Sequence, residues 1–90
     1  MAHARDPREK LLNRIRRIRG QVEAIERKLE ADEGVADVLC LIAASRGAMN
    51  SLMAEILEQH VRERVVMARD ANERAEAVDE LLGVIATYLK

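Results

Sequence analysis

Thiols, prolines, glycines and aromatic rings are all scarce in this chain: one cysteine, one proline, four glycines, one tyrosine, and neither phenylalanine nor tryptophan. A single thiol excludes an intramolecular disulfide framework, so nothing staples the chain covalently. The absence of large rings leaves an aliphatic core, of the kind packed between helices in knobs-into-holes fashion. Long uncharged stretches are lacking too. The least charged window, residues 38–54, still holds Arg46, Asn50 and two serines, so no run of bilayer-spanning length and no membrane partner is expected. The opening "MAHARDPREK" has no apolar signal core, and a cytoplasmic address is the default expectation. Ninety residues make one small domain, 1–90, whose own core is marginal, and oligomerisation is the usual remedy at that size.

What is present is charge, and it is unevenly placed. Residues 1–28 carry nine Lys/Arg against four Asp/Glu, a balance of +5; residues 29–90 carry six against twelve, a balance of −6. A near-neutral chain with a basic head still presents a patch suited to a polyanion.

The remaining composition, rich in Ala, Leu, Glu, Arg and Val, is helical, and the pattern predicts three helices over about 6–31, 35–66 and 71–89. Asp6, Pro7 and Glu9 read as N-cap, first helical residue and third-position carboxylate. Leu11, Ile15, Ile18, Val22, Ile25 and Leu29 then recur at spacings of four and three, one narrow apolar stripe. Asp32-Glu33-Gly34 interrupts it, offering a C-terminal glycine and a new cap. The second helix is apolar on too many sides. One stripe holds Val38, Ile42, Ser45, Met49, Leu52, Ile56 and His60, another Leu39, Ala43, Leu57 and Val61, a third Leu41, Ala44 and Ala48. Two other helices of one short chain cannot cover such a helix, which implies a dimer at least. The third helix, after Asp70, places Ala71, Ala75, Val78, Leu82, Ile85 and Leu89 on one face, with Glu73, Glu76 and Glu80 on an acidic outer face.

The densest chemical signal is "NRIRRIRGQ", residues 13–21. Lys10, Arg14, Arg17 and Gln21 flank the apolar stripe on one side, Arg16 and Arg19 on the other. Four arginines within six positions repel one another unless an anion compensates them, and the planar guanidinium fork suits phosphate. A solvated helix face is the plainer reading. Arg46 is the only charge between Val38 and Ala54; both a phosphate contact and an ion pair with a packed neighbour fit it. Of the two histidines, His60 lies on the main apolar stripe, where a hydrogen-bonded core histidine is the commoner case. His3 stands beside Ala2, whose amine would be free once Met1 is removed, and together they offer nitrogen ligands to a divalent transition metal. An enzyme of the small helical mutase type would need convergent arginines, a lysine and a carboxamide in one pocket. Here the cations cluster on one helix segment and Lys is nearly absent after Lys28, so no catalytic site is expected. A plain helical module binding acidic proteins is the third class, and no protein partner beyond further copies of the chain is implied.

"RIRRIRGQVEAIER", "LIAASRGAMNSLMAEILEQH" and the ending "ATYLK" resemble the copper-sensitive-operon repressor family of bacteria, from His3 to Lys90 without gaps. The resemblance is closest to its formaldehyde-responsive and nickel/cobalt branches. It implies an all-α protomer, a long antiparallel hairpin plus a short C-terminal helix, forming a dimeric four-helix bundle and a flat tetramer, a dimer of dimers. It further implies a repressor that coats operator DNA with basic surfaces and is released by an effector at an inter-subunit site. Carried over by position, Arg14, Arg16, Arg17, Arg19 and Arg46 would contact DNA, with Lys10 as a further candidate. Without a recognised helix-turn-helix, such a surface grips phosphates and reads DNA shape.

The effector site carries over only in part. The family joins a cysteine near the start of the second helix to a histidine near the end of the partner's. His60 matches the histidine; Val35 stands where the cysteine would be, and Arg64 where branches of the family place a further ligand. Cys40 does not substitute. At 3.6 residues per turn, positions 35 and 60 share a face while 40 and 60 oppose each other, and the axial shift of five residues is about 7.5 Å. Metal–ligand bonds tolerate about 0.2 Å. Three readings stay open: nickel, cobalt, zinc or copper held by His3, His60, the Ala2 amine and Glu63; another effector, including an oxidant acting on Cys40; or a constitutive DNA-binding relative without induction.

Overall fold

A computed structural model describes residues 6–89. It contains three α-helices, α1 (Pro7–Glu30), α2 (Val35–His60) and α3 (Ala71–Tyr88), with a π-helical segment, Val61–Val66, directly continuing α2. No strand occurs among the described residues. The chain divides into two compact units, Met1–Ile56 and Leu57–Lys90.

In the first unit α1 starts as its sequence dictates. Asp6 caps it, its carboxylate accepting from the Arg8 amide at 3.0 Å, with Pro7 in the first turn. The helix ends in a Schellman turn. The Glu33 amide donates to the Lys28 carbonyl at 3.0 Å and the Asp32 amide to the Leu29 carbonyl at 3.1 Å. The left-handed residue this turn requires is Asp32, at φ 56°, and not Gly34, on which the sequence reading had placed the terminator. Where this motif usually has an apolar contact, Lys28 Nζ meets Glu33 Oε1 at 2.9 Å. That partner raises the Lys28 pKa above its ordinary 10.5, through the hydrogen bond first and charge attraction second.

Helices α1 and α2 run antiparallel: Arg14, in the second turn of α1, pairs with Glu55 near the far end of α2 at 2.9 Å. Ile18, Val38 and Ser45 are the buried residues of this hairpin, and Leu11, Ile25, Leu41 and Leu52 are half-buried. The main α2 stripe of the sequence reading therefore splits. Val38, Ser45 and Leu52 turn inward, whereas Ile42, Met49 and Ile56 join Leu39 and Met53 on an adjacent exposed arc. Spacings of 3, 4 or 7 align Leu39, Ile42, Arg46, Met49, Met53 and Ile56 along one seam. By length and composition alone the 32-residue run Val35–Val66 is apolar enough to cross a membrane. Arg46 is the only charge between Val38 and Ala54, one that averaging dilutes, and the alternation of inward and seam residues is that of a helix with more than one helical neighbour.

In the second unit α3 is capped by Asp70, which accepts from the Glu73 amide at 2.8 Å, while Glu73 accepts from the Arg69 amide at 3.0 Å. Ala77 is fully buried, and Val78 and Leu81 are half-buried. The expected α3 face is only partly the packed one: Ala71, Ala75, Leu82 and Ile85 remain exposed in the protomer. Arg74 Nε donates to the Val65 carbonyl at 3.1 Å, tying α3 to the π segment.

Candidate nucleic-acid interface and effector site

The basic face is built on the first turns of α1. Lys10, Asn13, Arg14, Arg17 and Glu55 line an open cleft of ≈ 360 Å³. Three cations on successive turns thus converge there with one carboxylate. Arg16 Nη1 donates to Asn13 Oδ1 at 2.9 Å. Arg19 is exposed and lines no part of the cleft, and the same holds for Arg46, which lies on the apolar seam of α2. Among the described residues, Lys10, Arg16, Arg17, Arg19 and Arg46 pair with no carboxylate. Unpaired guanidinium groups grouped on one helix are donors for an anionic partner. Glu55 was not among the residues that sequence reasoning singled out. Its pairing with Arg14 spans 41 positions (55 − 14), and no local pattern encodes it.

The second unit holds His60. Its Nε2 is buried without a hydrogen-bond partner, and Glu80 Oε1 lies 3.9 Å away. Glu80 is exposed, as expected of the acidic outer face of α3, and its carboxylate also approaches the histidine. The pair is too long for a hydrogen bond but offers two adjacent donors to a ligand. Arg64 is exposed within the π segment. Because bonds there span five residues, as from the Met67 amide to the Arg62 carbonyl at 3.1 Å, Arg64 does not hold the α-helical i,i+4 relation to His60. Its permanent cation cannot ligate a metal.

Val35 is exposed and brings no donor, and Cys40 is an exposed free thiol in the protomer. His3 and Ala2 lie outside the described residues. Among those described, no three of His, Cys, Asp and Glu converge. The residues therefore do not fit a thiolate metal centre: His60 and Glu80 supply two donors, fewer than a transition-metal site requires.

Residues 7–87 match the family described as metal-sensitive transcriptional repressors. A Serratia marcescens protein from the bioA 5′ region is 47% identical over 92 residues, covering all of both chains. The transcriptional repressor RcnR of Salmonella paratyphi B is 39% identical over 90 residues, again across both chains. Among solved structures, a point variant of the formaldehyde-responsive regulator FrmR from Salmonella enterica serovar Typhimurium superimposes with a TM-score of 0.86. It is 40% identical, over 97% of this chain and 99% of that one. The copper-sensing repressor CsoR with Cu(I) from Geobacillus thermodenitrificans also gives a TM-score of 0.86, at 26% identity over 100% and 94% of the two chains. With its three helices and a match spanning nearly the whole chain, this protein belongs to the metal-sensitive transcriptional repressor family.

Proposed function

We propose that this protein represses transcription by laying the basic face of α1 on operator DNA as a homo-oligomer, a dimer of dimers, in the bacterial cytoplasm. The observation that carries the reading is the cleft where Lys10, Arg14 and Arg17 converge, with the unpaired Arg16 and Arg19 nearby in sequence. Arg46 belongs to the DNA-contact set by resemblance alone, since it lies on the apolar seam. Oligomerisation is supported by the exposed seam Leu39, Ile42, Met49, Met53 and Ile56, which a second copy would cover.

An effector acting at His60 releases the DNA in this reading, through a coupling of about 1–3 kcal/mol between the two sites. The orphaned Nε2 with Glu80 beside it supports that position. A divalent transition metal fits as effector only with nitrogen and oxygen ligands added by the His3 and Ala2 segment, since Val35 and Arg64 contribute none. The same two substitutions favour a second reading, a constitutive or redox-responsive relative without metal induction.

Titrating the protein onto a labelled duplex of its own promoter at two salt concentrations tests the DNA assignment. Affinity should fall steeply as salt rises, and Arg14→Ala and Arg16→Ala should each weaken binding. Unchanged binding in both variants would refute it. His60→Ala should leave DNA binding intact and abolish release by whichever metal displaces the wild type.

A further inference from the structure

Glu55 is the one carboxylate in a cleft otherwise lined by Lys10, Asn13, Arg14 and Arg17. It reaches Arg14 from the opposite helix, Oε1 lying 2.9 Å from Nε. That oxygen is buried, yet it accepts no directed hydrogen bond, so the contact is held by charge and not by a well-aligned N–H. Both side chains are more than a third exposed, at 37% and 40%, and ion pairs of that exposure contribute little to folding. The pair is therefore poorly explained as a brace for the hairpin. Its location suggests another role. A phosphate approaching the cleft would seek the group that Glu55 already engages, and would meet like charge in doing so.

We infer that Glu55 is an internal counter-anion, which occupies Arg14 in the free repressor and must yield when a DNA phosphate takes its place. Glu55 thereby holds operator affinity below what the three cations alone would give. An affinity limited in this way is useful to a repressor that has to let go. The inference rests on the DNA reading proposed above, and it adds a residue that the α1 pattern cannot reveal.

The test compares the full-length protein with Glu55→Gln, Glu55→Ala and Glu30→Gln on the same promoter duplex, with Arg14→Ala run in parallel. Helicity by circular dichroism is checked on every sample. The amide keeps the shape of Glu55 and drops its charge, the alanine guards against a folding artefact of the amide, and Glu30 is an exposed carboxylate of the same unit outside the cleft. Both Glu55 variants should bind about threefold tighter than wild type, the range set by half-exposed ion pairs, while Glu30→Gln should change little. The Arg14 Nε–H resonance should shift in Glu55→Gln without DNA. If Arg14→Ala weakens binding but the Glu55 variants bind like wild type, more weakly, or no tighter than Glu30→Gln, the inference fails and the DNA reading stands. If Arg14→Ala has no effect and binding ignores salt, both fall together.

Discussion

Replacing Ile42 with aspartate should break the oligomer. Leu39, Ile42, Met49, Met53 and Ile56 are between 39% and 58% exposed in the protomer. Fully burying such a side chain contributes about 1.5–3 kcal/mol, so covering the exposed half contributes about 1 kcal/mol each. The seam of one protomer then supplies about 5 kcal/mol, and about twice that in a two-fold dimer where both copies contribute. Ile42→Asp removes about 1 kcal/mol per copy and places an unpaired carboxylate in an apolar contact, costing several kcal/mol more, and symmetry counts it twice. The combined loss is comparable to the whole contribution of the seam. Sedimentation velocity should show a collapse to protomer mass, a thermal melt a lowered melting temperature, and a promoter-duplex titration loss of operator binding. Ile42→Ala, which only truncates, should dissociate at higher protein concentration than wild type but still assemble. Wild-type mass and melting temperature in Ile42→Asp would show that the seam faces solvent and that the assembly uses another surface.

Three further outcomes follow from local geometry. Asp32→Gly should stabilise by about 0.5–1 kcal/mol in urea melts, because glycine accepts the left-handed φ of 56° without a Cβ, whereas Asp32→Val should destabilise by about 1–2 kcal/mol. Asp70→Ala should cost about 1 kcal/mol through the lost α3 cap, seen as faster amide exchange at Glu73. Lys28 is held above its ordinary pKa of 10.5 by Glu33, so its contribution is intact below that pH and fades as the pH rises through the elevated value. The slope of stability against alkaline pH should therefore flatten in Lys28→Met, and an unchanged slope would mean the clasp does not form in solution.

Much of this was legible along the chain, for identifiable reasons. Caps are local chemistry, so Asp6 with Pro7 announced the start of α1, and the four-three spacing of Leu11 to Leu29 announced its stripe. What was not legible depends on residues far apart in sequence. Periodicity marks Val38 and Ile42 as equally apolar but does not say which one its own α1 buries and which is left for another chain. Glu55 and Glu80 look like ordinary surface carboxylates until α1 and α3 bring Arg14 and His60 to them. Asp32 was overlooked because a glycine stood two residues away and glycine is the commoner left-handed residue.

The π segment after His60 has a consequence for chain length. A π-helical turn accommodates one residue more than the α-turn it interrupts, so Val61–Val66 behaves like an α-helix into which a single residue has been inserted. The hairpin on its N-terminal side would not register a one-residue deletion there, which should restore plain α-helix. The residues after it should hold their places, because the turn that tightens is the one that housed the extra residue, and Glu80 should stay beside His60. Relatives that differ by one residue in this stretch should thus keep both the basic face on α1 and the approach of α3 to their histidine.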